Sequence, residues 1–228
     1  MTDHDPHVAG GQLPEPDSGA PRYIPPERYT GIAIALHWVI AVMIGVNIAL
    51  VLFVDYWPEG WVRPAIDLHK SIGMTVLGLA ALRILWRLSH RPPAFPASYP
   101  KFEIRAAHLA HIALYALMVA IPLSGYLHDS AWKDGPAHPD LLFWLVPWPR
   151  FSLLASLSPA AKEHAHSVLF GVHQWLAYGL YALVGLHVAA ALKHQWVDGH
   201  RELQRMLPAR RAQERDEMNE PCGPGGMC

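Results

Sequence analysis

Two histidines in one long uncharged stretch are the residues of this chain best placed for chemistry. Between Ala165 and Leu192 there is no Asp, Glu, Lys or Arg, and the phrase Gly171-Val172-His173 recurs as Gly185-Leu186-His187. Between His173 and His187 a helix rises about 21 Å and makes nearly four whole turns, so both histidines lie on one face. The glycine two positions before each histidine leaves room for a flat ligand or a closely packed helix.

Histidines at membrane depth allow two interpretations. A single intramembrane histidine often does no more than hydrogen-bond a neighbouring helix. Polar side chains are costly in lipid, however, and are functional by default. Two histidines on one face, matched by further histidines in other apolar stretches, favour metal ligation over simple interhelical bonding.

Four long apolar runs must position these histidines. The chain has 228 residues, of which 52% are hydrophobic, and a net charge of −1, which gives no reason to expect a nucleic-acid partner. Each run is long enough to cross a bilayer as a helix. The predicted spans are Gly31–Val54, Ala65–Leu88, Ala106–His128 and Ala165–Leu192. The sequence therefore predicts an all-α fold, a transmembrane four-helix bundle, in one membrane domain over residues 27–208.

The two ends of the chain have a different composition from the spans. Residues 1–26 are rich in proline and acidic residues and are predicted to be disordered, and residues 209–228 form a flexible tail. The tail holds both cysteines, Cys222 and Cys228, and two thiolates alone make an incomplete metal site. No Cys-x-x-Cys-His motif occurs, which excludes covalent haem attachment of the c type.

Lys and Arg are distributed unequally around the predicted spans. The two termini and the connection between the second and third spans hold 13 of them, counting Arg83 and Arg87 with that side, and the other two loops hold 5. Because basic loops stay in the cytoplasm, both termini are predicted to be cytoplasmic.

Depth in the membrane sorts the histidines into pairs. His37 lies six residues into the first span and His187 lies five residues before the end of the fourth, so both are at the inner side. His69 and His173 are both at the outer side. Two imidazoles from different helices at one depth can bind a haem iron from both faces. Such an iron has no open position, which suits electron transfer.

Other residues compete for these roles. His108 and His111 share the inner depth with His37, and spacing leaves either open as an axial ligand; the alternatives are interhelical hydrogen bonds or contact with haem propionates. His164 and His166 lie near the outer end of the fourth span. The tail histidines His4, His7 and His200 are expected to be solvated. Basic residues that could neutralise propionates or anchor the membrane edge are Lys70, Arg83, Arg87 and Arg105.

The connection Asp129–Glu163 is the longest, at 35 residues, and is rich in Trp and Pro. Its run Leu141–Phe151 is too short to span a bilayer. We expect this run to lie over the outer end of the bundle near His69 and His173. There it would either form a wall where a quinone headgroup or small oxidant arrives, or anchor the protein at the interface.

Several short sequence motifs, which occur along the chain in the family's order, resemble those of the bacterial cytochrome b561 family over roughly Tyr23 to Pro208. A single His-Trp or Gly-Leu-His motif would be weak evidence of membership, whereas all of the motifs in this order are a specific signal. The matching phrases are Arg28-Tyr29, Leu36-His37-Trp38, Leu68-His69-Lys70-Ser71-Ile72-Gly73, Ala107-His108-Leu109-Ala110-His111, Ile121-Pro122-Leu123-Ser124-Gly125-Tyr126, His173-Gln174-Trp175, the run Gly185 to His194, and Arg205-Met206-Leu207-Pro208.

The resemblance implies a four-helix protein of the bacterial inner membrane with two non-covalent haem b groups. It carries the ligand roles onto His37 with His187 and onto His69 with His173, and so favours them over His108 and His111. Family members exchange electrons with quinones, and some oxidise superoxide at the outer face.

The resulting functional expectation is a multi-pass dihaem cytochrome that carries single electrons across the inner membrane, with membrane lipid, quinone and a redox protein as expected partners. One alternative is a haem-bearing membrane-anchor subunit of a larger dehydrogenase or hydrogenase. A weaker alternative is a metal-ion or proton transporter lined by histidines, because the spans lack the carboxylates that usually accompany such relays.

Overall fold

The computed structural model describes residues 28–90, 92–94, 99–199 and 202–207. The predicted tails, 1–26 and 209–228, lie outside the described residues, and so do Cys222, Cys228, His4, His7 and His200.

Four long helices form the body of the molecule. They are α1 (Gly31–Leu52), α2 (Glu59–Ser89), α3 (Lys101–Ser130) and α5 (Pro159–Trp196). The described residues also form two helices of a single turn, α4 (Ser152–Ala155) and α6 (Glu202–Arg205). All four long helices are apolar enough and long enough to cross a membrane. The predicted all-α, four-helix membrane bundle is confirmed.

The helices α2, α3 and α5 extend beyond the predicted spans, because an apolar run marks only the part of a helix that crosses hydrocarbon. Toward the N-terminus, helical hydrogen bonding continues through the polar residues that precede each apolar run. It stops at a residue that favours the start of a helix. Pro58 precedes α2, Pro100 precedes α3, and Ser158 with Pro159 begins α5. Pro159 lies in the first turn of α5, which suits proline because that turn needs no amide donor. α1 instead ends at Leu52, two residues before the predicted boundary.

Packing joins neighbouring helices in sequence order. α1 packs against α2, α2 against α3, and α3 against α5, whereas α5 makes at most marginal contact with α1 or α2 in the described chain. The buried apolar cluster joins α1, α2 and α3, and its members are Ile40, Leu50, Ala65, Ile72, Val76, Ala80 and Met118. The space between α5 and the α1–α2 pair is therefore not closed by direct helix packing.

We call the end of the bundle that carries residues 131–158 the loop end. This connection is shorter than predicted, because α3 continues to Ser130 and α5 begins at Pro159. It also contains regular structure. Strands β1 (Leu141–Leu142) and β2 (Val146–Pro147) form an antiparallel hairpin, with Leu142 opposite Val146. The Phe143 amide donates to Ser71 Oγ (2.8 Å), which holds the hairpin against α2 two residues from His69.

We call the opposite end, where α1 begins and α5 ends, the terminal end. The segment 202–207 returns across it. The Trp38 indole donates to the Met206 carbonyl (2.7 Å), and the Tyr29 amide donates to the Arg205 carbonyl (3.3 Å). The buried Arg205 guanidinium donates to the Ala94 carbonyl at 2.8 Å. The final described segment is thus tied to the start of α1 and to the α2–α3 connection.

Candidate metal centres

His69 on α2 and His173 on α5 face each other toward the loop end. Their ring centroids lie 6.2 Å apart, and both side chains are half-buried. Nδ1 of His69 lies 3.4 Å from the Asn47 carbonyl, and Nδ1 of His173 lies 3.1 Å from the Ile121 carbonyl. Because a carbonyl oxygen only accepts hydrogen bonds, each Nδ1 carries the proton. Each Nε2 then keeps a lone pair for a metal ion, the usual arrangement of a ligating histidine.

A glycine on α3 makes room for the His173 ring. A Cβ on Gly125 would lie 3.0 Å from Cε1 of His173, which is tighter than ordinary contact. The neighbouring Ser124 hydroxyl lies 3.0 Å from Nδ1 of the same ring. Both residues belong to the family-like segment from Ile121 to Tyr126, and neither was predicted to contact a histidine.

His37 on α1 and His187 on α5 form a second pair toward the terminal end. Their ring centroids lie 6.3 Å apart. The Arg83 guanidinium is close enough to interact electrostatically with both rings. His111 on α3 also approaches His187, at 5.6 Å between centroids, so the structure keeps this predicted competitor near the pair.

The separations of the two facing pairs fit one iron between each pair. An imidazole nitrogen lies about 2 Å from a ligated metal, and the ring centre is about 1 Å further, so two opposed rings have centroids about 6 Å apart. Both pairs join α5 to a helix that it does not pack against closely, which leaves space for a flat group. α3 packs directly against α5, so the His111–His187 approach lacks that space.

Other histidines form different contacts. His128 and His166 stack at 3.9 Å between centroids, and each Nδ1 lies 3.1 Å from the other residue's carbonyl. This reciprocal pair ties α3 to α5 at the loop end and was not predicted. Nδ1 of His108 lies 2.8 Å from its own helix carbonyl at Ile104, and His164 is exposed.

The four basic residues considered for propionates have different surroundings. Lys70 is held by three carboxylates at 2.6 to 3.3 Å, from Asp67, Asp129 and Asp140. Arg150 bonds two of them, Asp129 at 3.4 Å and Asp140 at 2.8 Å. Burial and a hydrogen bond to Asp129 raise the pKa of the Asp140 carboxyl above its ordinary value. The charge of Lys70 is therefore already compensated by carboxylates within the protein.

The other three basic residues lie outside this network. Arg105 is exposed, and Arg83 and Arg87 lie at the terminal end.

A membrane-spanning helical bundle with facing histidines inside its spans is the arrangement expected of a membrane haem protein. The family model described as prokaryotic cytochrome b561 matches residues 28–209. Cytochrome b561 homolog 2 of Escherichia coli (strain K12) is 37% identical over 185 residues, which is 80% of this chain and 92% of that protein. The chain belongs to the prokaryotic cytochrome b561 family.

Two further relatives match with lower identity. The probable superoxide oxidase CybB of Yersinia pestis is 26% identical over 81% of this chain and 98% of its own length. Cytochrome b561 homolog 1 of Escherichia coli (strain K12) is 25% identical over 81% of this chain and 99% of its own length.

Family membership, together with four apolar helices, establishes a multi-pass protein of the bacterial inner membrane. It is a b-type membrane cytochrome that binds haem b and takes part in electron transfer.

Proposed function

We propose that this chain carries single electrons between the two faces of the inner membrane on two non-covalent haem b groups. His69 and His173 hold one group, and His37 and His187 hold the other. The observation that carries this proposal is the presence of two facing histidine pairs toward opposite ends of the bundle, each with the centroid separation of a doubly ligated iron.

The residues around each pair support the same role. Haem iron with two imidazole ligands supplies one-electron redox chemistry and no open coordination position. Asn47, Ser124 and Ile121 orient the loop-end imidazoles through Nδ1, so each Nε2 is presented in a fixed direction. The apolar helices exclude water, and the packing of α3 against α5 supports His37 over His111 as the partner of His187.

Orientation follows in this proposal from the Lys and Arg asymmetry, which places the terminal end in the cytoplasm and the loop end outside. Electrons exchange with the quinone pool, and an outer-face donor reaches the loop end beside the 141–147 hairpin. Superoxide is one candidate donor, because the Yersinia pestis relative carries the name of a probable superoxide oxidase.

The test is an absorption spectrum of the purified protein, oxidised and reduced, with haem counted per chain by extraction. Two haem b groups per chain are expected. Reduction by a quinol analogue in proteoliposomes should then develop the full reduced spectrum. A content of one haem per chain would contradict the proposal. So would a haem spectrum that a chemical reductant reduces but that no quinol analogue reduces.

A further inference from the structure

A cavity of about 360 Å³ lies at the terminal end, between the start of α1 and the end of α2. Arg28, Arg83 and Arg87 are among the described residues that line it, and none of those described residues has a carboxylate. Among the described residues, no ion pair involves any of the three arginines.

Within the described residues, the hydrogen bonds of these arginines go to neutral oxygens, so no carboxylate there compensates their charge. Arg83 donates to the Ala33 carbonyl at 2.6 Å and to the Tyr115 hydroxyl at 3.1 Å. Arg28 donates to the Leu207 carbonyl. The described chain shows neither a hydrogen bond nor an ion pair for Arg87. Like charges gathered in one cavity repel each other, so an anion bound among them would be stabilised.

The position of the cavity corresponds to the headgroup region of the bilayer. It lies where α1 begins at Gly31 and α2 ends at Ser89, the termini of two membrane-spanning helices. The Trp86 indole donates to Thr30 Oγ1 (2.9 Å) and stacks on His90 at 3.8 Å between centroids. Tyr29 also lines the cavity. Tyr and Trp are typical of membrane interfaces.

We propose that this cavity binds the phosphate group of an anionic phospholipid from the leaflet at the terminal end. Guanidinium groups recognise phosphate oxygens by paired, charge-assisted hydrogen bonds. Basic pockets between membrane helices are known to bind anionic headgroups. The proposal does not depend on which face is cytoplasmic, and the experiment distinguishes a phospholipid phosphate from haem propionates as the bound anion.

The experiment measures lipid retained by the purified full-length protein. Native mass spectrometry would count phosphatidylglycerol bound from nanodiscs that also contain phosphatidylethanolamine. The variants are Arg87→Gln alone and Arg28→Gln with Arg87→Gln. The matched control is Lys101→Gln with Arg105→Gln, which removes the same charge from exposed residues at the same end. Haem absorbance per chain and the melting temperature check that each variant folds.

We expect Arg87→Gln to weaken phosphatidylglycerol retention about tenfold, the double variant to weaken it further, and the control to leave it unchanged. Equal loss in the control would overturn the proposal, because only general charge attraction would then be involved. Full competition by millimolar inorganic phosphate would also overturn it in favour of a soluble anion. Unchanged lipid retention with a shifted terminal-end haem spectrum would overturn it and assign the arginines to haem propionates.

Discussion

At the scale of single residues, the two histidines of α5 differ in how they are held. His173 has its Nδ1 bonded to α3 and its ring seated against Gly125. His187 has no hydrogen bond shown in the described chain, and it faces both His37 and His111. The loop-end pair is therefore the more preorganised of the two, because its imidazoles are oriented before any ligand binds.

Removing either histidine of α5 should separate the two proposed haem groups. His173→Ala should lose about half of the haem absorbance, with the terminal-end spectrum retained, and His187→Ala should lose the other half, because an iron with one imidazole is held poorly. Low-temperature absorption and electron paramagnetic resonance spectra distinguish the two groups. His111→Ala is the matched control and should keep both; if it removes one group as fully as His187→Ala does, the pairing with His37 is wrong.

Gly125 should tolerate no side chain. Gly125→Ala places a methyl group 3.0 Å from the His173 ring. Overpacking of this kind costs about 1–3 kcal/mol and should shift the ring, so the loop-end haem signal should broaden or weaken. Gly78→Ala on α2 is the control, because a Cβ there meets nothing within 4 Å. Equal haem spectra for Gly125→Ala and the parent protein would remove the proposed steric role.

At the scale of elements, the hairpin at the loop end combines strain with exposed aromatic surface. Phe143 and Trp144 adopt φ values of 49° and 61°, which bulky residues rarely adopt. Such strain persists only where the surrounding structure holds it. Here the Phe143 amide donates to Ser71 Oγ, and the Leu145 amide donates to the Leu142 carbonyl across the turn. An aromatic residue kept at a position that favours glycine suggests a role for the ring.

Trp144→Gly should test that role without disturbing the turn, because glycine adopts positive φ freely. If the ring contributes to exchange with quinone analogues at the loop end, the rate should fall about tenfold while haem content stays constant, which corresponds to about 1.4 kcal/mol of barrier. Stopped-flow spectroscopy of the haem bands measures this rate. Leu145→Ala, at an exposed position in the same turn, is the control. Rates equal to those of the parent protein would leave the hairpin with membrane anchoring alone.

At the scale of the whole molecule, orientation in the membrane is set by the distribution of basic residues. The asymmetry of 13 against 5 predicts that the terminal end is cytoplasmic. A reporter fused after Arg215 should be active as a cytoplasmic reporter, and one inserted near Asp134 as an external reporter. The opposite pattern would exchange the two faces in the proposed electron path but would leave the histidine pairing unaffected.

The sequence by itself determined the class of fold and the set of candidate ligands. Uncharged runs of this length have few stable states in a bilayer other than spanning helices, since every backbone polar group must be bonded within the segment. The periodicity of a helix then places His173 and His187 on one face. Depth places His69 at the outer side with His173, and it places His37, His108 and His111 at the inner side with His187. The choice against His108 and His111 came only from the family resemblance, because spacing within one helix says nothing about its neighbours.

The tertiary structure decided which helices are in contact and what surrounds each pair. Packing of α3 on α5, with α5 separate from α1 and α2, gives the physical reason to prefer His37 over His111. The carboxylates that hold Lys70, the His128–His166 stack and the cavity of three arginines each join residues from different parts of the chain. Such contacts depend on the relative rotation and distance of helices, and local sequence patterns do not specify either quantity.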